Sequence, residues 1–194
     1  MGRIKSALEI ALEKTESVKG DMTRVNQYET RQKGKLLANE FLNEGKKSLE
    51  DEIKKYSKDE QASFKQGIFD VLITQLSVPN TEDDLVRVEN AAKGIQVVVN
   101  DHRFNGKVKQ LSQILRQYMN DAAQYEEAVK RQFAPKLRQK EEEISRRLGR
   151  EVKLDPFQDP EFITFYNKNM NILKENYQTG IDQLKQAAIS SFKP

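Results

Sequence analysis

The sequence predicts an all-α fold, a single domain built as an elongated antiparallel bundle of long, coiled-coil-like helices. Charged residues make up 32% of the 194 residues and hydrophobic residues only 37%, a balance typical of exposed helices that share a narrow apolar seam. Along most of the chain, apolar residues recur at alternating steps of three and four, which places them on one stripe of a helix.

We expect residues 3–58 to form the N-terminal helices. A heptad-like apolar series opens this region, and its members are Ile4, Leu8, Ala11, Thr15, Val18, Met22 and Val25. Gly20 interrupts the series and Asp21 can cap a new helix, so one helix with a weak point and two shorter helices both fit. The dense charge between Glu44 and Lys58 indicates an exposed helix.

Residues 61–78 contain the most apolar stretch of the chain, with large side chains on more than one face. A helix that is apolar nearly all round lies in the centre of a fold, so we assign residues 61–78 to a central helix. Phe, Val, Ile and Thr also favour strands. A strand is therefore the alternative for residues 69–75 and for the valine-rich run at 96–100.

A break at Val78-Pro79-Asn80 precedes a helix predicted over residues 81–100. Thr81 is its expected cap, and acidic residues follow in its first turn. Turns are expected after this helix at residues 100–102 and at the Asn105-Gly106 pair. The dispersed glycines of the helical seams are expected to allow close helix packing.

One continuous stripe from Phe104 to Leu148 predicts a long helix over residues 103–148, in which Pro135 predicts a kink. Gly149 ends this helix, residues 149–159 form a loop, and a C-terminal helix spans residues 160–191. We expect the long helix to lie antiparallel to the C-terminal helix and to the N-terminal helices.

The residue types present exclude most catalytic and metal chemistry. Without cysteine there is no disulfide, thiolate nucleophile or cysteine zinc site, and the one histidine, His102, has no second histidine to join it. Adjacent acids at 82–84 and 141–143 point around a helix and do not converge on one ion. A calcium-loop reading of residues 101–112 fails because Arg103 and Ser112 stand where acids are needed. We therefore predict no catalytic residue, no metal and no cofactor.

The loop at 149–159 contains a candidate interaction site. Its residues are Val152, Leu154, Asp155, Phe157 and Asp159. The three apolar side chains lack helical spacing, so they either cap the end of the bundle or are offered to a partner. Capping is favoured, because an exposed apolar trio is a liability in solution. Asp155, Asp159 and Glu161 are the best remaining acidic group for an enzyme, but the neighbouring prolines make helix capping the better account.

A candidate basic face lies on the long helix. Residues 101–150 hold 12 Lys/Arg and 7 Asp/Glu. Opposite the apolar stripe this helix places Lys109, Arg116, Arg131 and Arg138, which suits a track of phosphates. Glu127, Glu141 and Glu142 share the same outer face, a pattern that favours a salt-bridged helix surface over a nucleic-acid site.

The sequence therefore predicts a cytoplasmic, non-catalytic scaffold, stalk or adaptor that forms a homodimer and binds an unidentified protein partner. The alternative is a nucleic-acid-binding protein that uses residues 103–150. No apolar run approaches the length of about 18 residues that spans a membrane. The start Met1-Gly2 with Ser6 fits the loose pattern for N-myristoylation, which so few residues satisfy readily by chance.

Overall fold

A computed structural model describes the backbone of residues 7–44 and 48–193, and the side chains of residues 23–43, 48–102 and 104–193. Within these ranges the chain is an all-α helical bundle without strands, which confirms the predicted fold class. The helices are α1 (Ala7–Glu44), α2 (Leu49–Lys54), α3 (Lys58–Gln75), α4 (Glu82–Val99), α5 (His102–Leu148) and α6 (Pro160–Ser191). None of the described helices is long and apolar enough to cross a membrane.

Side-chain caps fix where the shorter helices begin. The backbone N–H of Ser57 donates to Oε2 of Glu60 at 3.2 Å at the start of α3. At the start of α4, the N–H of Asp84 donates to Oγ1 of Thr81 at 3.1 Å, as the sequence predicts. In return, Oδ2 of Asp84 accepts the N–H groups of Asn80 and Thr81, and the Asn80 N–H is the main cause that lowers the pKa of Asp84. These reciprocal bonds satisfy donors that a helix start leaves open.

Several boundaries differ from the sequence predictions. α1 is one helix that continues through Gly20, whereas the charged region before Lys58 forms only the six-residue α2. The turn predicted at Asn105-Gly106 is wrong, because α5 already begins at His102. Buried Phe104 and Val108, one helical turn apart, keep this pair within the helix. The preceding turn is present, and Asn100 adopts the left-handed conformation there with φ 49°.

α5 also continues through Pro135. This residue is exposed, so its ring lies towards solvent. The myristoylation pattern at residues 1–6 lies outside the described residues. So do the side chains of the N-terminal heptad series up to Met22.

The chain divides into two compact units. The first comprises residues 1–76, 90–104 and 188–194, and the second comprises residues 77–89 and 105–187. In the first unit, α1 and α3 approach most closely at two glycines. A Cβ on Gly34 would overlap the carbonyl oxygen of Phe64, and one on Gly67 would overlap the carbonyl oxygen of Arg31. The expected packing role of seam glycines is therefore confirmed at both positions.

The core of the first unit is drawn from α1, α2, α3 and the second half of α4. Its large buried side chains include Phe64, Ile68, Leu72, Leu76, Ile95, Val98 and Phe104. Phe69 stacks on Phe192 with ring centroids 4.2 Å apart. The stretch predicted as a central helix over 61–78 is helical in α3 only as far as Gln75, because Leu76 is already extended. The strand alternatives at 69–75 and 96–100 are wrong.

The second unit contains an antiparallel pair formed by α5 and α6, as predicted. Tyr118 packs against Tyr177 near one end of the pair, and Phe133 packs against Phe162 towards the other. The side chains of this stripe are buried, and they include Leu111, Leu115, Val129, Ile181 and Leu184. The α5–α6 hairpin closes through residues 149–159.

Candidate functional site

The loop between α5 and α6 is built by its own capping residues. Gly149 follows α5 with φ 66°, the left-handed conformation that glycine favours at a helix end. Asp155 accepts the N–H of Phe157 at 3.0 Å, which starts a 3₁₀ turn over Pro156–Gln158. Asp159 accepts the N–H of Glu161 at 2.9 Å and so caps α6. Both aspartates thus cap local structure.

Polar side chains of α5 hold the backbone of this loop. The N–H of Val152 donates to Oγ of Ser145 at 2.9 Å, and the N–H of Leu154 donates to Oε1 of Glu141 at 2.8 Å. The side chains of Val152 and Leu154 are half-buried. Ser145 and Glu141 lie beyond Pro135, where the apolar stripe of α5 becomes polar. The loop backbone supplies the donors that these inward-facing oxygens need.

An ion cluster, in which Asp159 alone is buried, joins the start of α6 to α5. Nζ of Lys140 lies 2.7 Å from Oδ2 of Asp159 and 2.5 Å from Oε2 of Glu161, and Lys136 adds a contact to Glu161 at 3.1 Å. The hydrogen bond from Lys140 holds the pKa of Asp159, and likewise that of Glu161, below its ordinary value. The two carboxylates, above all Asp159, raise the pKa of Lys140. All three groups therefore stay charged near neutral pH and act as a structural cluster.

An aromatic cluster lies beside these charges. Phe162 is fully buried among Val129, Phe133 and Tyr166. Phe157 meets the edges of Phe162 and Tyr166 at centroid distances of 5.2 and 5.3 Å, and Nζ of Lys130 lies 5.6 Å from its ring centre. The side chain of Phe157 nevertheless stays 44% exposed. It therefore covers the end of the hairpin and also presents part of its ring to solvent.

The four residues of the basic face differ in their surroundings. Arg116 makes two hydrogen bonds to Glu89, at 3.0 and 3.1 Å, and Glu89 is almost fully buried. Lys109, Arg131 and Arg138 are exposed and form no ion pair with the described side chains. The row of cations predicted on α5 is therefore divided: Arg116 pairs with Glu89 of α4, and the other three face solvent.

Two partly buried polar pairs of the second unit were not predicted. One is the Glu89–Arg116 pair, and the other joins Tyr177 to Asp121 by a short hydrogen bond in which the phenol donates. This hydrogen bond is the main cause that raises the pKa of Tyr177 to about 12, so the phenol stays protonated. Asp121 precedes Ala122 on the apolar stripe, and that position at the edge of the seam is the only signal in the sequence.

α1 presents an exposed apolar surface in the first unit. Its members are Val25, Tyr28 and Leu36, with 55, 65 and 64% of each residue exposed, and we call them the outer face of α1. Tyr28 also forms one wall of a groove between α1 and α3. Arg24, Gln27 and Arg31 line the groove from α1, and Ala62, Ser63 and Gln66 line it from α3. The series that ends at Val25 is visible in the sequence, but its exposure is not.

The described residues contain no group of three or more His, Cys, Asp or Glu side chains that could hold a metal ion. His102, considered in the sequence as a ligand or base, is exposed at the first position of α5.

Comparison with protein-family models gives one finding. The model described as a family of unknown function (DUF6657) matches residues 50–189, which includes α2 in all but its first residue, α3, α4, α5 and most of α6. No match is found among curated proteins or among solved structures.

Proposed function

The chain belongs to the family of unknown function DUF6657, and we propose that it is a non-catalytic helical scaffold or adaptor that acts through protein–protein contacts. The observation that carries this proposal is the outer face of α1. Three large apolar side chains stay exposed there, while the opposite side of the same helix is buried against α3. A helix with a second apolar face is suited to binding another protein.

The use of the charged residues in the second unit supports the same proposal. Asp159, Glu161 and Lys140 neutralise one another, and Asp155 caps the 3₁₀ turn. The acidic residues that could have served an enzyme therefore hold the loop on α5 instead. A catalytic acid or base would need a pKa shifted towards neutrality, whereas Lys140 keeps both carboxylates strongly acidic.

We also propose that the protein works in the cytoplasm and as a homodimer. The absence of cysteine fits a reducing compartment, in which disulfides contribute nothing to stability. Isologous dimers are the commonest assembly of soluble proteins and cover apolar surface that one chain leaves exposed.

Nucleic-acid binding along α5 is the second candidate function. Lys109, Arg131 and Arg138 support it, since they are exposed cations without an ion pair among the described residues. The bidentate Glu89–Arg116 pair weakens it, because this interaction withdraws one cation from the row.

Purification of the full chain from its native host, at low and at physiological salt, tests the proposed function. We expect a protein to co-purify in fixed proportion at both salt concentrations, because apolar contacts respond little to salt. The recovered material should contain no nucleic acid, as judged by ultraviolet absorbance and nuclease treatment. Two double variants then identify the surface that binds. One combines Tyr28→Ser and Leu36→Ser on α1, and the other combines Arg131→Gln and Arg138→Gln on α5.

The proposal would be overturned in favour of nucleic-acid binding if nucleic acid co-purified at low salt but not at physiological salt, and not with the arginine variant. Such salt dependence is expected because each neutralised phosphate releases counterions. Recovery of neither protein nor nucleic acid would also contradict it.

A further inference from the structure

The α5–α6 pair has one side that contacts α4 and one side that does not. On the first side, Arg116 of α5 bonds Glu89, and Nζ of Lys174 of α6 donates to Oδ1 of Asn80 at 3.3 Å. At about 100° per residue, Ile114 lies on the opposite side of α5 from Arg116. Ile114 is 37% exposed there. We call the side of the pair that includes Ile114 the open side.

A hollow lies between α5 and α6 on the open side. Its volume is about 150 Å³, and its apolar lining comes from Leu111, Ile114 and Leu184. Gly180 forms part of its wall, and a Cβ at this glycine would meet Cδ1 of Ile114 at 3.8 Å, an ordinary contact distance. The packing of the chain itself therefore does not require a glycine here, although glycine is less stable than alanine within a helix. The glycine instead keeps the hollow open to an apolar group from outside.

The open side of α5 carries a series of side chains that is complementary to itself. Its members, at steps of three and four, are Lys107, Gln110, Ile114, Gln117 and Asp121. Lys107 and Asp121 have opposite charges and lie seven residues before and seven residues after Ile114. A two-fold axis at Ile114 would therefore place Lys107 of each copy opposite Asp121 of the other. The same axis would bring glutamine near glutamine, and amides can pair because each both donates and accepts.

Both charged members of this series are available to a second chain. Lys107 is exposed and forms no hydrogen bond or ion pair with a described residue. Asp121 accepts a hydrogen bond from Gln117 on one carboxylate oxygen and one from Tyr177 on the other. Each oxygen of a carboxylate accepts about two hydrogen bonds, so both can still accept another. The two existing bonds hold the carboxylate in position for a lysine of the second copy.

The α6 edge of the open side carries no charge that would oppose such a contact. Gln183 lines the hollow, and the series that leads to it at steps of three and four is uncharged: Asn169, Ile172, Asn176 and Thr179. Ile172 is 48% exposed and adds apolar surface. In a chain with 32% charged residues, this absence of charge is typical of an interface core. It also does not suit nucleic acid, which needs a row of cations.

We propose that two copies of this chain associate through their open sides, with α5 antiparallel to α5 of the second copy about a two-fold axis at Ile114. The side chain of Ile114 then packs at the hollow beside Gly180 of the second copy. This inference rests on the homodimer proposed above and names its surface. The apolar centre supplies affinity, and the two pairs of Lys107 with Asp121 fix the register.

Two charge reversals on α5 test the proposal. Lys107→Glu would place a glutamate opposite Asp121 of the second copy, whereas Lys109→Glu makes the same change of charge on the basic face. Sedimentation equilibrium at low salt measures the dissociation constant of the dimer. We expect Lys107→Glu to raise this constant about tenfold or more, because two attractive contacts become repulsive, and Lys109→Glu to change it less than about twofold. A mixture of Lys107→Glu chains with Asp121→Lys chains should form a heterodimer, in which both pairs are restored.

Cross-linking gives a second measurement that does not depend on the folding of Asp121→Lys. The chain has no cysteine, so a single introduced cysteine is its only thiol. A short bis-maleimide should join two copies of Ile114→Cys but not two copies of Lys109→Cys.

The surface and the dimer fail by different results. Equal dissociation constants for Lys107→Glu and wild type would overturn the assigned surface while leaving the dimer in place. Cross-linking of Lys109→Cys in preference to Ile114→Cys would do the same. A wild-type chain that stays monomeric throughout the sedimentation experiment would contradict the dimer itself.

Discussion

At the scale of single residues, the two kinds of glycine in this chain have opposite effects on stability. Gly34 lies where the backbone of α3 leaves no room for a side chain, and the nearest atom is a carbonyl oxygen that cannot move aside. Gly106 is exposed within α5, and nothing lies within 4 Å of the place where its Cβ would stand. Only the first glycine is required by packing.

Alanine at each position should therefore change stability in opposite directions. We expect Gly34→Ala to destabilise the protein by about 2 kcal/mol or more through forced separation of α1 and α3. Gly106→Ala should stabilise it by about 0.5 to 1 kcal/mol, because alanine loses less backbone entropy in a helix. Urea unfolding followed by circular dichroism measures both. Equal effects of the two substitutions would show that the close crossing of α1 and α3 is not formed.

Asp159 makes stability depend on pH. Lys140 and the N–H of Glu161 lower its pKa in the folded state, so ionised Asp159 stabilises the fold at neutral pH. This contribution is lost as the pH falls from the ordinary value of 3.8 through the lower folded pKa. Asp159→Asn keeps a capping oxygen but removes the charge, and we expect it to cost about 1 kcal/mol at pH 7.

Thermal unfolding of wild type and Asp159→Asn between about pH 7 and pH 3 checks this expectation. The difference in melting temperature should be constant near neutrality and should shrink once the pH falls below the ordinary aspartate range. A difference that does not change with pH would show that the substitution acts through the cap alone.

At the scale of elements, the α5–α6 hairpin shows what the sequence could predict. Its regular stripe, Gly149 and the Asp-Pro steps located both helices and the loop, since these signals act over a few residues. The pairing of Lys140 with Asp159, and of Glu141 with the N–H of Leu154, was not predictable. Those contacts depend on how two helices meet, and no local pattern encodes that.

The same limit explains the error at Asn105-Gly106. That pair favours a turn only where the chain is free to leave the helix, and the burial of Phe104 and Val108 outweighs its preference. Exposure of the outer face of α1 was unpredictable for a related reason, because an apolar series has the same spacing whether or not a neighbour covers it.

Substitutions in the aromatic cluster test whether the loop caps the end of the α5–α6 hairpin, because its rings differ in how deeply they are buried. Phe162→Ala removes a fully buried ring and should cost about 3 to 5 kcal/mol. Phe157→Ala removes a ring that is nearly half exposed, so we expect a loss of only about 1 kcal/mol, which Phe157→Leu should partly restore. Differential scanning calorimetry gives the order of the three variants. Unchanged stability in Phe157→Ala, combined with loss of a co-purifying protein, would instead make the loop the interaction site.

At the scale of the whole molecule, the balance of charge does not select an anionic partner. The chain carries 33 Lys/Arg and 30 Asp/Glu, for a formal net charge of +3. Many of the described acids and bases meet one another within a helix, as in the Lys130 contacts to Glu126 and Glu127. A nearly balanced surface of this kind attracts polyanions weakly, which agrees with a protein partner.

Self-association is the property of the whole molecule that the proposed function predicts most directly. Ile172 of α6 is exposed in the second unit, on a different element from the outer face of α1. A two-fold contact there would cover this side chain on both copies. We expect light scattering at tens of micromolar to give twice the 22.4 kDa of one chain, with little change in high salt. Ile172→Ser should shift this mass towards the monomer, whereas Tyr28→Ser with Leu36→Ser should not. A monomer mass for the wild type at that concentration would refute the dimer.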